Sequence, residues 1–282
     1  MRVAVTGATG RLGGQIVRLL AADPEYDIVA VCRRMPDELP TPATVAIADF
    51  EDPASLREAL HGVDTLVFVS SDGETHRLLH HHRNVVRAVC DCDVRHVVAL
   101  SSLDADLASP FCYAVTNRQT ELMLEAAGIA VSIARASIYT EFFLHWLAGA
   151  RESGELRLPA DAGRISLISR ADVGRAMAAL AGSGPTGRHH DLTGPEGLDP
   201  DAIAGVVAEA YGIPVRYVDI TPAEYLAELA AEGEDAWWMY AYSSMFASIR
   251  EQRWARTTDE IAALTGRRPV SLAEALRTSP GG

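Results

Sequence analysis

The sequence predicts an α/β fold built on a doubly wound parallel sheet, and three observations support this prediction. Short apolar runs alternate with amphipathic stretches along the first half of the chain, which is the β-α-β order of a parallel sheet. Some runs, such as residues 65–69 (Thr-Leu-Val-Phe-Val), are almost entirely apolar, so helices are expected to cover both faces of these strands. A glycine-rich segment separates the first run from the first amphipathic stretch, as in a Rossmann fold.

Hydrophobic periodicity places the strands and helices of this first region. The predicted strands are residues 2–6, 27–32, 44–48, 63–69, 96–100 and 130–135. The predicted helices are residues 11–23, a segment that begins at Pro53, residues 75–91 and residues 113–127. Proline suits the first turn of a helix, because its missing N–H would have no partner there.

The β-α-β rhythm ends at about residue 137, and a mostly helical region follows. We therefore expect residues 1–137 to form a dinucleotide-binding domain and residues 138–282 to form a smaller, mostly helical substrate-binding region. A helix at residues 170–181 is expected to return, so that residues 170–192 pack on the first domain. Residues 137–154 are predicted to be helical, and residues 189–190 and 215–218 to lie in strands.

The composition argues against several classes of protein. The 282 residues include 25 basic and 38 acidic side chains, and a net charge of −13 disfavours nucleic acid as a partner. The four cysteines have neither disulfide nor zinc-site spacing, and no apolar run reaches membrane-spanning length. Because the chain begins with strand residues, no signal peptide is expected. We predict a cytoplasmic protein, a monomer or homodimer, that acts on a small-molecule substrate.

A glycine motif, Thr6-Gly-Ala-Thr-Gly-Arg-Leu-Gly13, lies between the first strand and the first helix. Its glycines let the backbone turn tightly and approach a pyrophosphate, while the helix N-terminus offers free N–H groups and the positive end of its dipole. In this position the G-x-x-G-x-x-G spacing predicts a dinucleotide-binding loop. The candidate pyrophosphate-binding residues are Gly7, Thr9, Gly10, Arg11, Leu12 and Gly13.

Two arginines, Arg33 and Arg34, follow the second predicted strand. An NAD-specific site usually has a carboxylate here, whereas a guanidinium binds the 2′-phosphate of NADPH. One charge-assisted hydrogen bond contributes about 1.5–3 kcal/mol, which would favour NADPH over NADH roughly tenfold to a hundredfold. The alternative is a solvated surface pair. After the third strand, Asp49 and Phe50 stand where an adenine contact is expected, although Asp49 also suits a cap for the helix at Pro53.

Several motifs together resemble the atypical short-chain dehydrogenase/reductases. They are the glycine motif, Arg33-Arg34, Asp49-Phe50, Val69-Ser-Ser71, His82-Arg-Asn-Val85, Leu100-Ser-Ser-Leu103, Thr120-Glu121, Ser169-Arg-Ala-Asp-Val173 and Leu264-Thr-Gly-Arg-Arg-Pro269. More narrowly, the chain resembles the NmrA-like group and, within it, the bacterial type-2 NAD(P)H:quinone oxidoreductases. The resemblance extends over nearly the whole chain and implies a reductase that uses NADPH, without flavin or metal.

The resemblance also implies positions for the nicotinamide half of the cofactor. Ser70 and Ser71, after the fourth strand, would lie beside the ribose or pyrophosphate. Ser101 would line the floor near the nicotinamide, with Ser102 next to the substrate. Both placements agree with the rule that open α/β sheets bind ligands at the carboxyl ends of their strands.

Ordinary short-chain dehydrogenases use Tyr-x-x-x-Lys after the fifth strand, but the comparable stretch here is Tyr113-Ala-Val-Thr-Asn117. Asn117 would share a helix face with Tyr113 and can bond a ribose hydroxyl, but it supplies no charge to activate the tyrosine as an acid. Both remain candidate catalytic residues. Hydride transfer to a quinone-like or enone substrate relies mainly on orientation, so it is the predicted reaction. Two alternatives stay open, a non-catalytic NmrA-like dinucleotide sensor and a pathway-specific reductase or isomerase of secondary metabolism.

Aromatic residues of the second region are candidates for the substrate pocket. Tyr139, Phe143 and Trp146 would form flat walls for a planar quinone, and Trp238 would belong to a lid, residues 237–240; the alternative is that all are core residues.

A histidine cluster follows the fourth predicted strand. His76 and His80 have the i, i+4 spacing of zinc ligands, but no third ligand is evident. We therefore expect no metal, and a solvated helix face with His82 packed inward.

Overall fold

The computed structural model describes residues 1–36 and 42–278, which divide into two compact units. The first unit comprises Met1–Ser102, Thr116–Arg135 and Arg170–His190. The second unit comprises Leu103–Val115, Ala136–Ser169 and the described residues from Asp191 onward. Residues 103–115 are expected from the sequence in the first domain, whereas in the structure this segment belongs to the second unit.

The elements follow the predicted β-α-β order through the first half of the chain. The strands are β1 (Arg2–Thr6), β2 (Asp27–Cys32), β3 (Thr44–Ile47), β4 (Thr65–Phe68), β5 (His96–Ser102), β6 (Val131–Ala136), β7 (Glu155–Leu158), β8 (His189–Leu192) and β9 (Arg216–Asp219). The helices are α1 (Arg11–Ala21), α2 (Pro53–Leu60), α3 (Thr75–Asp91), α4 (Cys112–Ala126), α5 (Thr140–Ser153), α6 (Arg170–Ser183), α7 (Pro200–Tyr211), α8 (Pro222–Ala231), α9 (Ala236–Arg250), α10 (Glu260–Thr265) and α11 (Leu272–Thr278).

Within the described residues, seven strands form one parallel sheet in the order β3-β2-β1-β4-β5-β6-β8. β1 lies between β2 and β4, with Thr6 paired to Val31 and Val5 paired to Val67. The strand order therefore reverses at β1, and the carboxyl ends of β1, β2 and β4 meet at this switch point. Open α/β sheets bind ligands at such a point. The doubly wound α/β fold is confirmed.

Helices cover both faces of this sheet. Leu66 and Phe68 of β4 pack in a core with α2 and α3, and Val67 points to the opposite face because side chains alternate along a strand. On that face α1 packs on α6, where the Gln15 side-chain amide donates to the Ala171 carbonyl at 3.2 Å. Burial on both faces explains why the strands are nearly all apolar.

The second unit has its own hydrophobic core, which includes Phe143, Phe246 and Trp254. Its two strands, β7 and β9, form a parallel two-stranded sheet. The sequence pattern does not predict β7, because this strand has only four residues and a single residue lies between it and α5. Gly154 separates them, with a left-handed φ of 75° that ends the helix. No helix in the described parts of the chain is both long and apolar enough to cross a membrane.

Candidate functional site

The glycine loop is fixed to the end of β4. The Thr6 hydroxyl donates to the Val69 carbonyl at 2.9 Å and accepts from the Val69 N–H, also at 2.9 Å. Gly7 then turns with a φ of +63°, a conformation that residues with a Cβ rarely adopt. The Gly10 N–H closes the turn on the Gly7 carbonyl at 2.8 Å.

Close packing within the loop explains the third glycine of the motif. A methyl group at Gly13 would overlap the carbonyl oxygen of Gly7, so only glycine lets α1 approach the loop this closely. Gly10 precedes α1 without a side-chain cap, and the first turn contains no acidic residue. The N–H groups of Arg11 and Leu12 are thus available, with the positive end of the helix dipole, for an anion.

A cleft of about 390 Å³ opens beside this loop in the first unit. It includes eight of the predicted cofactor-binding residues, from the ends of β1, β2, β3 and β4. The lining residues are Gly7, Thr9, Val31, Arg33, Arg34, Met35, Pro36, Ala48, Asp49, Phe50, Val69, Ser70, Ser71, Arg77 and His81. A cleft of this size with polar groups at its walls is typical of a cofactor site.

Arg33 and Arg34 line this cleft from the end of β2, and both side chains are exposed. Among residues 1–36 and 42–278, no carboxylate forms an ion pair with either guanidinium. Each therefore retains its donors for a bound anion, and a phosphate accepts two of them at once.

The segment after β3 forms the adjoining wall of the cleft. The Asp49 carboxylate accepts from the Glu51 N–H at 2.9 Å, and the Phe50 carbonyl accepts from the Asn84 side-chain amide at 2.9 Å. Asp52, rather than Asp49, caps α2 by accepting from the Ala54 N–H at 2.9 Å. The interpretation of Asp49 as the cap is therefore wrong, and its side chain instead shapes the turn at the cleft.

Two lining residues that the sequence analysis missed, Arg77 and His81, lie one turn apart on α3. The Arg77 Nε donates to Glu51 Oε1 at 2.8 Å, and His81 Nε2 lies 3.4 Å from the same oxygen. His81 is buried, with Nδ1 at 3.5 Å from the Ser71 hydroxyl, so the expectation of a solvated histidine face fails at this position. Arg77 and His81 are four residues apart on the helix that follows Ser70-Ser71, so this spacing could have shown that both side chains lie on one helix face near the cleft.

Ser101, at the end of β5, takes part in a buried ion-pair network of the first unit. Its hydroxyl donates to Glu121 Oε1 at 2.6 Å, and Arg135 binds both oxygens of the same carboxylate, at 2.8 and 2.5 Å. Arg118 adds a third contact at 3.0 Å. Burial alone would raise the pKa of Glu121, but the hydrogen bonds from Arg135 and Ser101 lower it overall. The Ser101 hydroxyl proton is therefore engaged inside the fold; Ser102 is also buried.

Asn117 and Tyr113 have different surroundings, although both belong to α4. Asn117, in the first unit, is half-buried, and its side-chain amide makes no hydrogen bond within the described residues. Tyr113, in the second unit, contacts the rings of Phe111 and Trp237 edge to face, with centroids 5.6 and 6.3 Å apart. The Asn117 amide is thus available to a ligand hydroxyl.

Three predicted substrate residues of the second unit, Phe143, Trp146 and Trp238, belong to an aromatic cluster with Tyr242. Phe143 is fully buried and packs in the core, and the Trp146 N–H donates to the Tyr225 hydroxyl at 3.2 Å. Trp238 stacks on Tyr242 with centroids 5.7 Å apart. Tyr139, Trp146 and Trp238 are half-buried, so each retains some accessible surface for a planar ligand.

The first unit fits a dinucleotide by its own geometry. A side chain at Gly13 would overlap the loop backbone, and the N–H groups that begin α1 lack a side-chain cap. Two guanidinium groups, which pair with no carboxylate of residues 1–36 or 42–278, line the cleft beside the loop. These features define a dinucleotide-binding α/β protein. A family model described as NAD(P)H-binding matches residues 7–183, and the chain belongs to this NAD(P)H-binding family.

Individual relatives agree with this assignment. Quinone oxidoreductase 2 of Escherichia coli (strain K12) is 32% identical over 82% of this chain and 82% of its own length. An NmrA-like family domain-containing oxidoreductase of Aspergillus flavus is 28% identical over 98% of this chain and 94% of its own. The crystal structure of the NADPH-dependent quinone oxidoreductase of Escherichia coli with NADPH has a TM-score of 0.90 at 28% identity, covering 97% of this chain and 98% of that one. The resemblance to NmrA-like oxidoreductases is confirmed.

Proposed function

We propose that the chain is an NADPH-dependent oxidoreductase that delivers a hydride to a quinone-like or enone substrate. The observation that carries the proposal is the cleft of the first unit, where the glycine loop and the arginine pair Arg33-Arg34 line the same space. The quinone oxidoreductase that is 32% identical to this chain supports the substrate class.

The candidate cofactor-binding residues of the first unit have distinct proposed roles. The N–H groups of the glycine loop and of α1 hold the pyrophosphate, with Gly7, Gly10 and Gly13 allowing the close approach. Arg33 and Arg34 bind the 2′-phosphate, which gives the preference for NADPH. Asn117 hydrogen-bonds a ribose hydroxyl with its amide, which has no hydrogen-bond partner in the described part of the chain.

In the proposed reaction the protein mainly orients the cofactor and the substrate. When bound, NADPH supplies a hydride, and reduction of a quinone to a hydroquinone also takes up one proton, which water can provide. Asn117 stands at the position of the lysine in Tyr-x-x-x-Lys and carries no charge, so it does not activate Tyr113 as an acid. Orientation of the two reactants therefore makes the main contribution to the rate. Direct transfer from the nicotinamide needs neither a flavin nor a metal, and we propose that neither takes part.

The proposed substrate residues of the second unit are Tyr139, Trp146 and Trp238. The half-buried rings offer flat apolar surface to a planar acceptor. The cytoplasm is the proposed compartment, because a reduced cofactor and four free cysteines both suit a reducing environment.

The proposal is tested by NADPH oxidation with a panel of quinones, enones and ketones, beside calorimetric binding of NADPH. Turnover with quinones or enones is the expected result. Tight NADPH binding without oxidation by any acceptor would contradict the proposal and favour a dinucleotide sensor.

The role of Asn117 is tested by Asn117→Ala, with Gln119→Ala as the matched control on the same helix. One lost hydrogen bond should lower kcat/KM for NADPH by about tenfold. The fold should be unaffected, because the Asn117 amide makes no hydrogen bond within the described residues. Equal rates for the two variants would show that Asn117 does not bind the cofactor.

A further inference from the structure

A third guanidinium, that of Arg77, lines the same cleft as Arg33 and Arg34. It comes from the first turns of α3, whereas the arginine pair comes from the end of β2. The Arg77 side chain is 56% exposed, so a bound molecule can reach it. The cleft therefore has cationic groups on two separate elements of the first unit.

A single carboxylate oxygen fixes the position of Arg77. Its Nε and Nη2 lie 2.8 and 2.7 Å from Glu51 Oε1. A guanidinium has five N–H donors, and these two contacts leave Nη1 without a partner among the described residues. Arg77 is thus held in place while it still has donors for a second anion.

Glu51 directly follows Asp49-Phe50, the pair expected to contact adenine, so Arg77 would lie on the adenosine side of the cleft. The Phe50 carbonyl is bonded to the Asn84 amide, and the Phe50 ring lies 5.9 Å from that of His81. The glycine loop, where the pyrophosphate would bind, is built from other elements. The hydrogen bonds from Arg77 and His81 lower the pKa of Glu51, so the carboxylate stays ionised and keeps its hold on Arg77.

We propose that Arg77 is a third phosphate-binding residue, which contacts the 2′-phosphate of NADPH together with Arg33 and Arg34, and that Glu51 is its positioning residue. The inference rests on the proposed preference for NADPH. It adds a specificity-determining residue outside the strand-end arginine pair, and it gives Glu51 a role in cofactor discrimination through its hydrogen bonds to Arg77.

The experiment is calorimetric binding of 2′,5′-ADP and 5′-AMP to the full chain, which isolates the 2′-phosphate from the nicotinamide and from turnover. Arg77→Gln should weaken 2′,5′-ADP binding by about tenfold, as expected for one lost charge-assisted contact, and change 5′-AMP binding less than about twofold. Arg83→Gln is the matched control, because Arg83 is an exposed arginine of α3 that does not line the cleft. This control should bind both nucleotides as the unaltered chain does.

A second variant distinguishes loss of the contact between Arg77 and the 2′-phosphate from electrostatic repulsion by Glu51. Removing Arg77 alone leaves the Glu51 charge uncompensated, which would itself repel a 2′-phosphate bound beside it. The double variant Glu51→Gln/Arg77→Gln keeps the local net charge unchanged, and we expect it still to lose about tenfold for 2′,5′-ADP. Glu51→Gln alone removes a negative charge that opposes anions, so the positioning role of Glu51 is measured as the preference for 2′,5′-ADP over 5′-AMP, which should fall because Arg77 is no longer fixed.

The outcomes distinguish this inference from the proposed function. Unchanged 2′,5′-ADP affinity in the double variant, or an equal loss for both nucleotides, would overturn the role of Arg77. That conclusion would leave the NADPH preference intact if Arg33→Gln/Arg34→Gln still abolished the discrimination. If the unaltered chain bound the two nucleotides equally, the NADPH preference itself would be wrong.

Discussion

Two buried histidines of the first unit, His82 and His96, should make the protein less stable in mild acid. Burial lowers the pKa of each from 6.5 to about 4, and for His82 the neighbouring His81 contributes further. His82 Nδ1 lies 2.6 Å from the Thr120 hydroxyl, while its Nε2 is buried and has no hydrogen-bond partner among the described residues. The pKa is depressed in the folded state, so the unfolded chain binds protons first. Stability is therefore lost as the pH falls from about 6.5 to about 4.

The size of this effect follows from the two pKa values. At about pH 5 each histidine is mostly protonated in the unfolded chain and neutral in the fold, which destabilises the fold by about 2 kcal/mol per histidine and about 4 kcal/mol for both. Urea unfolding at about pH 7 and pH 5 measures the loss. Carboxylates titrate as well, so the informative quantity is the difference between the unaltered chain and His82→Asn/His96→Asn. The exposed His61→Asn is the control.

We expect the double variant to lose about 4 kcal/mol less than the unaltered chain between the two pH values, and each single variant about 2 kcal/mol less. The His61→Asn control should behave like the unaltered chain, because His61 is exposed. An identical pH dependence in the double variant would refute the assignment of these histidines as buried neutral groups.

Two further perturbations follow from the same structure. Gly13→Ala should weaken NADPH and NADH binding alike, because the added methyl group overlaps the Gly7 carbonyl, whereas Gly205→Ala in open space on α7 should leave both affinities unchanged in calorimetry. Glu121→Gln should reduce the free energy of unfolding, measured in urea, by about 3–5 kcal/mol, because it removes the buried charge that pairs with Arg135. The control Glu125→Gln, at an exposed position, should reduce it by less than about 1 kcal/mol. Similar losses for the two variants would contradict the role of Glu121 as a buried ion-pair partner.

The sequence predicts most of the cofactor cleft because the relevant residues follow strand ends. The glycine motif and Arg33-Arg34 directly follow β1 and β2, and parallel pairing brings these ends together at one edge of the sheet. Ser70 and Ser71 reach the same cleft for the same reason. Local spacing and the order of elements are thus sufficient to bring these residues together.

Contacts between distant parts of the chain could not be predicted in the same way. Arg77 and His81 meet Glu51 across 26 and 30 positions, and the Glu121 network depends on Arg135, 14 positions further along the chain. The rotation of each helix about its axis decides such contacts, and a single sequence does not specify it. The aromatic residues of the second region could not be assigned to a pocket or to the core for the same reason. Phe143 is an aromatic residue that would suit a pocket wall, but it is fully buried in the core.

The most direct test of the central claim is calorimetric titration of the full chain and of Arg33→Ala/Arg34→Ala with NADPH and with NADH. We predict that the unaltered chain prefers NADPH by roughly tenfold to a hundredfold, and that the variant loses this preference while still binding NADH. Equal losses for the two cofactors would show that the arginine pair does not bind the 2′-phosphate. Absence of any dinucleotide binding by the unaltered chain would contradict the account as a whole.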